Sequence, residues 1–166
     1  MQKLTPCLWF DGGAEKAARF YGSLVPGSRI TRIFRTPTDT PHSKAGDVLT
    51  VEFTLGKMEF LALNGGPEFK FNPAVSFQIH CKDQAEVDRI WARIKRNGGK
   101  EMACAWIQDR WGLAWQIVPV RLEQLLKDRN RAKAKRVMEA MMTMIKIDVA
   151  ALEKADDVSR AIIARE

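Results

Sequence analysis

Few side chains in this sequence could carry chemistry, and they are scattered along it. The two histidines, His42 and His80, stand apart from any cluster of carboxylates, so neither predicts a metal site or a general base. Cys7, Cys81 and Cys104 are odd in number and widely spaced, which argues against both a disulfide framework and a cysteine-rich zinc site. This use of cysteine predicts a reducing, cytoplasmic environment.

Three polar or nucleophilic residues between positions 104 and 116 leave alternatives open. Cys104 is two residues from Trp106, so a strand would place both on one face. A reactive thiol needs a neighbouring base or cation, and nothing in the sequence places one there, which favours an inert cysteine. Asp109 is a candidate acid or base, or a turn former ahead of a glycine. Gln116, if buried, needs hydrogen-bond partners that either a ligand or the core could supply.

The elements that must position these residues form two units of the same order, strand–helix–strand–strand–strand. The first unit, residues 1–64, places strands at 4–10, 28–36, 48–55 and 58–64 and a helix at 14–24. Asp11 or Gly12 is positioned to cap this helix, and Gly56–Lys57 predicts a two-residue hairpin turn. Pro6 lacks a backbone donor, which favours an edge position for the first strand.

The second unit, residues 74–119, repeats the plan. It places strands at 74–81, within 100–107 and at 113–118, with a helix at 83–97. Asp83 stands where Asp11 stands in the first unit, and Gly98–Gly99 provides a left-handed helix stop. Residues 1–119 are therefore expected to form one domain of duplicated structure.

Residues 120–166 change to a helical pattern, which predicts a C-terminal extension packed on the domain or on a dimer partner. A stripe at helical spacing marks a long helix near 130–145; its members are Ala134, Val137, Met138, Met141 and Ile145. Methionine-rich stripes more often pack than bind. Asp148 predicts the start of a further helix, and residues 158–163 predict a last helical segment with a frayed end.

The net charge of +7 is spread along the chain except between Lys127 and Arg136, where six basic residues face only Asp128. A solvated helix start explains this stretch better than nucleic-acid binding, because no recognition module or interleaved aromatic residue accompanies it. No apolar run is long enough to predict a membrane span. The N-terminal residues lack an apolar signal segment, so export by a standard signal is not expected.

A series of short motifs runs through the chain in order: TPCLWFDG (5–12), AARFY (17–21), FLALNGGP (60–67), CAW (104–106), DRWG (109–112), WQIVP (115–119), RVMEAM (136–141) and KID (146–148). Together they resemble the PhnB-like branch of the vicinal oxygen chelate superfamily, which includes glyoxalases, dioxygenases and bleomycin-resistance proteins. The domain of this branch often carries the name 3-demethylubiquinone-9 3-methyltransferase. The resemblance covers nearly the whole chain and rests on the order of the motifs.

This resemblance implies an α+β fold in which tandem βαβββ units form a curved, mostly antiparallel, barrel-like sheet with an open cleft. In metal-dependent members, His and Glu side chains on facing strands bind a divalent cation there. At those positions this sequence carries Thr5, Ser76 and Gln116, with Ala62 or Asn64 as the candidates on the fourth strand. Hydroxyl and amide groups lack the imidazole and carboxylate that hold transition metals, so no metal and no cofactor is expected.

The resulting hypothesis is a metal-free, cytoplasmic protein that binds a small molecule in the cleft between the two units. Apolar walls with a few polar anchors are typical of such sites. The expected lining residues are Thr5, Cys7, Trp9, Asn64, Ser76, Cys104, Trp106 and Gln116. No residue is assigned a catalytic role, and the resemblance implies a homodimer.

The alternative hypothesis is an enzyme that acts on an aromatic, quinone-like or vicinal-oxygen substrate, as a lyase, dioxygenase or methyltransferase. Residues 11–13 form a strand–helix junction with two glycines, but capping and turn geometry explain this pair better than a methyl-donor loop. The chain also lacks the serial parallel strands of a doubly wound methyltransferase fold. The sequence therefore leaves open whether the protein catalyses a reaction.

Overall fold

The predicted duplication appears as two four-stranded mixed sheets, and each unit has helices of its own. The computed structural model describes residues 3–157. The chain divides into two units, Met1–Phe71 and Asn72–Glu166, and the C-terminal helices belong to the second. The described residues contain no closed barrel, and none of their helices is long and apolar enough to cross a membrane.

The first unit has the predicted order of one helix and four strands. Its elements are β1 (Cys7–Phe10), α1 (Ala14–Gly22), β2 (Arg29–Arg35), β3 (Val48–Leu55) and β4 (Met58–Asn64). The sheet order is β1-β4-β3-β2, with β1 parallel to β4 and the other pairs antiparallel. Pro6 immediately precedes the edge strand β1, which confirms the expected edge position. Its carbonyl still accepts a 2.9 Å hydrogen bond from the Leu61 amide.

Helix α1 covers one face of this sheet and leaves the other face without a helix of its own unit. Ala17 and Tyr21 of α1 are fully buried, as are Val51 and Phe53 of β3. Strand residues alternate between faces, so every second side chain of β1 and β4 points away from α1. We call this second surface the open face of the first sheet.

The second unit repeats the arrangement, with much shorter second and third strands. Its elements are β5 (Ser76–Cys81), α2 (Gln84–Arg96), β6 (Lys100–Glu101), β7 (Trp106–Gln108) and β8 (Ala114–Pro119). The sheet order is β5-β8-β7-β6, and β5 and β8 are parallel. The predicted cap is confirmed, since the Asp83 side chain accepts a 2.8 Å hydrogen bond from the Glu86 amide. Gly98, with φ of 91°, provides the left-handed turn after α2.

Three helices complete the described part of the second unit: α3 (Val120–Leu126), α4 (Arg131–Met142) and α5 (Val149–Asp157). The predicted stripe of α4 splits between two environments. Val137 is buried in a cluster with Leu122, Ile147 and Leu152, and Met141 packs against that cluster. Met138, one residue after Val137, remains exposed. The helical segment expected at 158–163 lies outside the described residues.

Candidate functional site

The open face of the first sheet carries three of the predicted lining residues. Leu8 and Phe10 of β1 are buried, so the alternation of the strand turns Cys7 and Trp9 to the open face. A cavity of about 410 Å³ lies in the first unit beside this strand. Its lining residues are Thr5, Thr31, Glu52, Phe53, Glu59, Phe60 and Leu61. The predicted anchor Thr5 is therefore part of a cavity with both hydroxyl and carboxylate groups.

Trp9 is held firmly at the end of the open face. Its indole Nε1 donates a 2.8 Å hydrogen bond to the Gly66 carbonyl, and the Phe69 ring meets it edge-on at 5.0 Å. The backbone of Gly65 lies so close to the indole that a Cβ there would come within 2.3 Å of the ring. Glycine at position 65 therefore permits the close approach that fixes this aromatic wall.

Asn64 lies on the α1 side of the sheet, away from the open face. Its Oδ1 accepts a 2.9 Å hydrogen bond from the Ala14 amide at the start of α1. Its Nδ2 donates a 2.8 Å hydrogen bond to the Val48 carbonyl. Ala62, the other candidate considered on the fourth strand, is fully buried on the same side. Asn64 thus supplies the capping contact expected from Asp11 or Gly12, since the N-cap residue Gly13 has no side chain for this purpose.

The second sheet brings Ser76 and Gln116, two of the predicted lining residues, together. The Gln116 amide Nε2 donates a 2.8 Å hydrogen bond to the Ser76 hydroxyl. The Gln78 amide, on the same face of β5, donates a 2.9 Å hydrogen bond to Gln116 Oε1. Trp106 pairs with Gln116 across β7 and β8, so its ring extends this polar row with an apolar surface.

Both histidines pair with glutamates in the structure. His80 Nδ1 lies 2.8 Å from Glu123 of α3, and His42 Nε2 lies 2.7 Å from Glu68. Lys127 chiefly, with a smaller effect of His80, lowers the pKa of Glu123. These are exposed contacts of one histidine with one carboxylate, which do not make a metal site.

Two of the three thiols lie in settings that disfavour the thiolate. Burial raises the pKa of Cys81 to about 12, and partial burial also raises the pKa of Cys7. Cys104 lies before β7 with φ of 55°, followed by Ala105 with φ of 73°. The alternation that would pair Cys104 with Trp106 on a strand face therefore does not extend to this residue. Its amide instead donates a 2.8 Å hydrogen bond to the Met144 carbonyl.

Asp109 is a turn former, one of the two roles that the sequence left open. It is only 4% exposed. One carboxylate oxygen accepts hydrogen bonds from the Trp111 and Leu113 amides at 2.8 and 3.1 Å. The other accepts a 3.0 Å hydrogen bond from the Trp115 indole. The carboxylate thus closes the turn between β7 and β8 and is occupied by backbone and core donors.

The donor set at the expected metal positions does not fit a transition metal. Thr5, Ser76 and Gln116 offer only hydroxyl and amide groups, which such ions bind poorly without imidazole, thiolate or carboxylate partners. Among residues 3–157, no group of three or more His, Cys, Asp or Glu side chains is arranged to hold a metal ion. We therefore derive no chemical step through a metal.

Sequence reasoning missed six lining residues of the first-unit cavity: Thr31, Glu52, Phe53, Glu59, Phe60 and Leu61. The signal was present in β4, where Phe60 and Ala62 mark the buried side. Glu59 and Leu61 alternate with them and so belong to the other face. Applying this alternation jointly to β1 and β4 would have identified both residues.

Comparisons with known proteins show the family and the fold. The profile of the family described as 3-demethylubiquinone-9 3-methyltransferase matches residues 2–118. A solved structure from Bacillus cereus, described as a putative 3-demethylubiquinone-9 3-methyltransferase, PhnB protein, is 30% identical with a TM-score of 0.65, covering 72% of this chain and 100% of its own. No functionally curated protein matches the sequence significantly.

A more distant solved structure shares the fold alone. The fosfomycin resistance protein FosX from Listeria monocytogenes is 15% identical with a TM-score of 0.53, covering 76% of this chain and 98% of its own. At this identity the match supports the architecture of the sheets and says nothing of the ligand.

Proposed function

Because the chain belongs to the PhnB-like 3-demethylubiquinone-9 3-methyltransferase family of the vicinal oxygen chelate superfamily, we propose that it is a metal-free protein that binds a small molecule. The open face of the first sheet provides the binding surface in this proposal. The cytoplasmic location expected from the cysteines is part of the same proposal.

The observation that carries this proposal is the 410 Å³ cavity beside Thr5. Its volume falls in the range of small-molecule sites, about 300–1,000 Å³. Leu61 offers an apolar contact, while Thr5 and Thr31 offer hydroxyls that can orient a ligand. In this proposal a bound molecule is held by contact and hydrogen bonding.

The polar row of the second sheet supports a binding role for that unit too. Gln116 uses Oε1 and Nε2 in its bonds to Gln78 and Ser76, yet the amide keeps a second hydrogen on Nε2 and a second lone pair on Oε1. Trp106 adds a flat apolar surface next to these groups. A ligand with an aromatic or quinone-like ring and a polar substituent matches this combination.

A substitution that fills the first-unit cavity tests the proposal. In Thr5→Trp the indole would occupy the cavity, so ligands that bind there should no longer stabilise the protein. The measurement is the ligand-induced rise in Tm across a panel of small aromatic and quinone compounds, because binding to the native state raises Tm. Leu4→Trp is the matched control, since Leu4 is the preceding residue, is 83% exposed and does not line the cavity.

The expected result is at least one compound that stabilises the wild type and Leu4→Trp but not Thr5→Trp. A compound that stabilises all three proteins equally would place the ligand elsewhere and contradict the proposal for this cavity.

The methyltransferase activity in the family description is not part of this proposal. At the junction where a methyl donor would need backbone donors, the Ala14 amide is already bound to Asn64. Gly12 and Gly13 have φ of 75° and 78°. The turn into α1 requires this left-handed conformation, which explains both glycines without a methyl donor. The proposal also includes a homodimer, and a monomeric mass in light scattering would refute that part.

A further inference from the structure

A groove between the end of α3 and one face of α4 forms a surface with no role in the proposed binding site. It encloses about 270 Å³ and is lined by Leu126, Arg131, Ala134, Lys135 and Met138. Leucine, alanine and methionine form its walls, and two cations stand at its edge.

The basic residues around this groove are of two kinds: some form contacts between α4 and α5, and others do not. Lys133 lies 3.3 Å from Asp156, and the Arg136 guanidinium donates to the Ala155 and Asp156 carbonyls of α5 at 3.0 Å. These cations tie α4 to α5 and are not available to a partner.

The cations on the groove side are different. Within the part of the chain that the structure describes, Arg131, which lines the groove, has no carboxylate at ion-pair distance. Lys135 has a 3.7 Å contact with Glu139, but both side chains are largely exposed. Exposed ion pairs of this kind are weak, so Lys135 stays available to a partner. Together with Arg131 it gives this end of the groove a positive charge.

Exposed apolar side chains continue the groove along the same side of α4. Met138 is 41% exposed and Met142, one turn later, is 65% exposed; Ile145 follows the helix at 54%. Methionine side chains adapt to different partners and are frequent at binding surfaces. The surface therefore combines a row of apolar contacts with a cationic end.

We propose that this groove binds an acidic amphipathic helical segment of another protein, whose apolar residues enter between α3 and α4 and whose carboxylates face Arg131 and Lys135. The charge of the groove selects an acidic partner, and the spacing of Met138 and Met142 suits apolar residues one helical turn apart.

Other occupants fit the groove less well. A second copy of this chain carries a net charge of +7 and so matches a cationic groove less well than an acidic segment does. A nucleic acid would leave the methionines unused, because no aromatic ring lies among the groove residues to stack with bases. A membrane surface cannot enter a concave site in the way that a side chain can.

The test uses the full chain and a synthetic amphipathic helical peptide with leucines on one face and glutamates on the other. A scrambled peptide of the same composition has equal charge without the apolar face. Fluorescence anisotropy should show tighter binding of the amphipathic peptide, and the affinity should fall as salt is added.

Two substitutions probe the two halves of the surface. Met138→Gln keeps size and helix propensity but removes the apolar contact, and Arg131→Glu reverses a groove charge at a helix start that tolerates an acid. Each should weaken peptide binding about fivefold or more. Lys16→Glu, an exposed change in the first turn of α1, is the matched control and should leave the affinity unchanged.

Three results would overturn the proposal, provided that circular dichroism shows each variant to be folded. Equal binding of both peptides, with no effect of Met138→Gln, would mean attraction by charge alone. Tighter binding to anionic phosphatidylglycerol vesicles or to duplex DNA, lost in Arg131→Glu, would identify a different class of partner. Absence of peptide binding at low salt would remove the docking site.

Discussion

Replacing Asp109 by alanine should destabilise the second unit strongly, because its carboxylate serves three donors at once. The Leu113 amide and the Trp115 indole are buried and would lose their acceptor, whereas the Trp111 amide is only half-buried. An unsatisfied buried donor costs about 1–3 kcal/mol. Two such donors at about 1.5 kcal/mol each give a loss of about 3 kcal/mol in the free energy of unfolding, or about 6–12 °C in Tm.

Denaturant unfolding followed by both circular dichroism and tryptophan fluorescence measures this loss. The Trp115 indole reports directly, since it contacts the substituted side chain. Asp11→Ala is the control, because Asp11 also follows a strand and precedes a glycine turn, but its side chain is exposed. The control should change the free energy of unfolding by less than about 0.5 kcal/mol. If Asp109→Ala lowered the free energy of unfolding no more than the control does, the Asp109 carboxylate would not stabilise the β7–β8 turn.

Two further substitutions test contacts between residues that are far apart in the sequence. Asn64→Ala removes the acceptor of the Ala14 amide and should cost about 1–2 kcal/mol of unfolding free energy, measured in urea; Asn64→Asp, which keeps the acceptor, should lose less. Hydrogen bonds from Lys146 first, and then from Gln84, lower the pKa of Asp88. The ionised carboxylate therefore stabilises the fold fully above its ordinary pKa near 4, and this stabilisation is lost as the pH falls through the lowered pKa of the folded state. Asp88→Asn should therefore be less stable than the wild type at pH 7, by less than about 1 kcal/mol for so exposed a pair, and equal to it near pH 2 in thermal scans. A difference that persists in acid would assign the effect to something other than charge.

Local signals explain why the elements could be predicted. The Asp83 cap, the Gly98 stop and the Gly56–Lys57 turn act within a few residues of the backbone that they shape. The two repeated units follow from these signals and from strand alternation, so the α+β architecture was accessible before any contact was known. The parallel register of β5 and β8 sets Ser76 and Gln116 on one face, where they share a hydrogen bond.

Contacts between distant segments explain what could not be predicted. The cap of α1 comes from Asn64, fifty residues after the Ala14 amide that it serves. Cys104 takes a left-handed conformation while its amide bonds to the Met144 carbonyl of the C-terminal extension. No periodicity within the sequence specifies which distant carbonyl or amide will be available to such a group.

The sequence by itself determined the order of the elements, the duplication and the absence of imidazole and carboxylate at the expected metal positions, because each depends on residue type and local spacing. Tertiary structure alone decided that Asn64 caps α1 and which side of the α4 stripe is buried. It also decided that Lys133 and Arg136 hold α5 while Arg131 remains at the surface. Those outcomes depend on the partner that packs against each face, and that partner is set by the pairing of strands and helices remote in sequence.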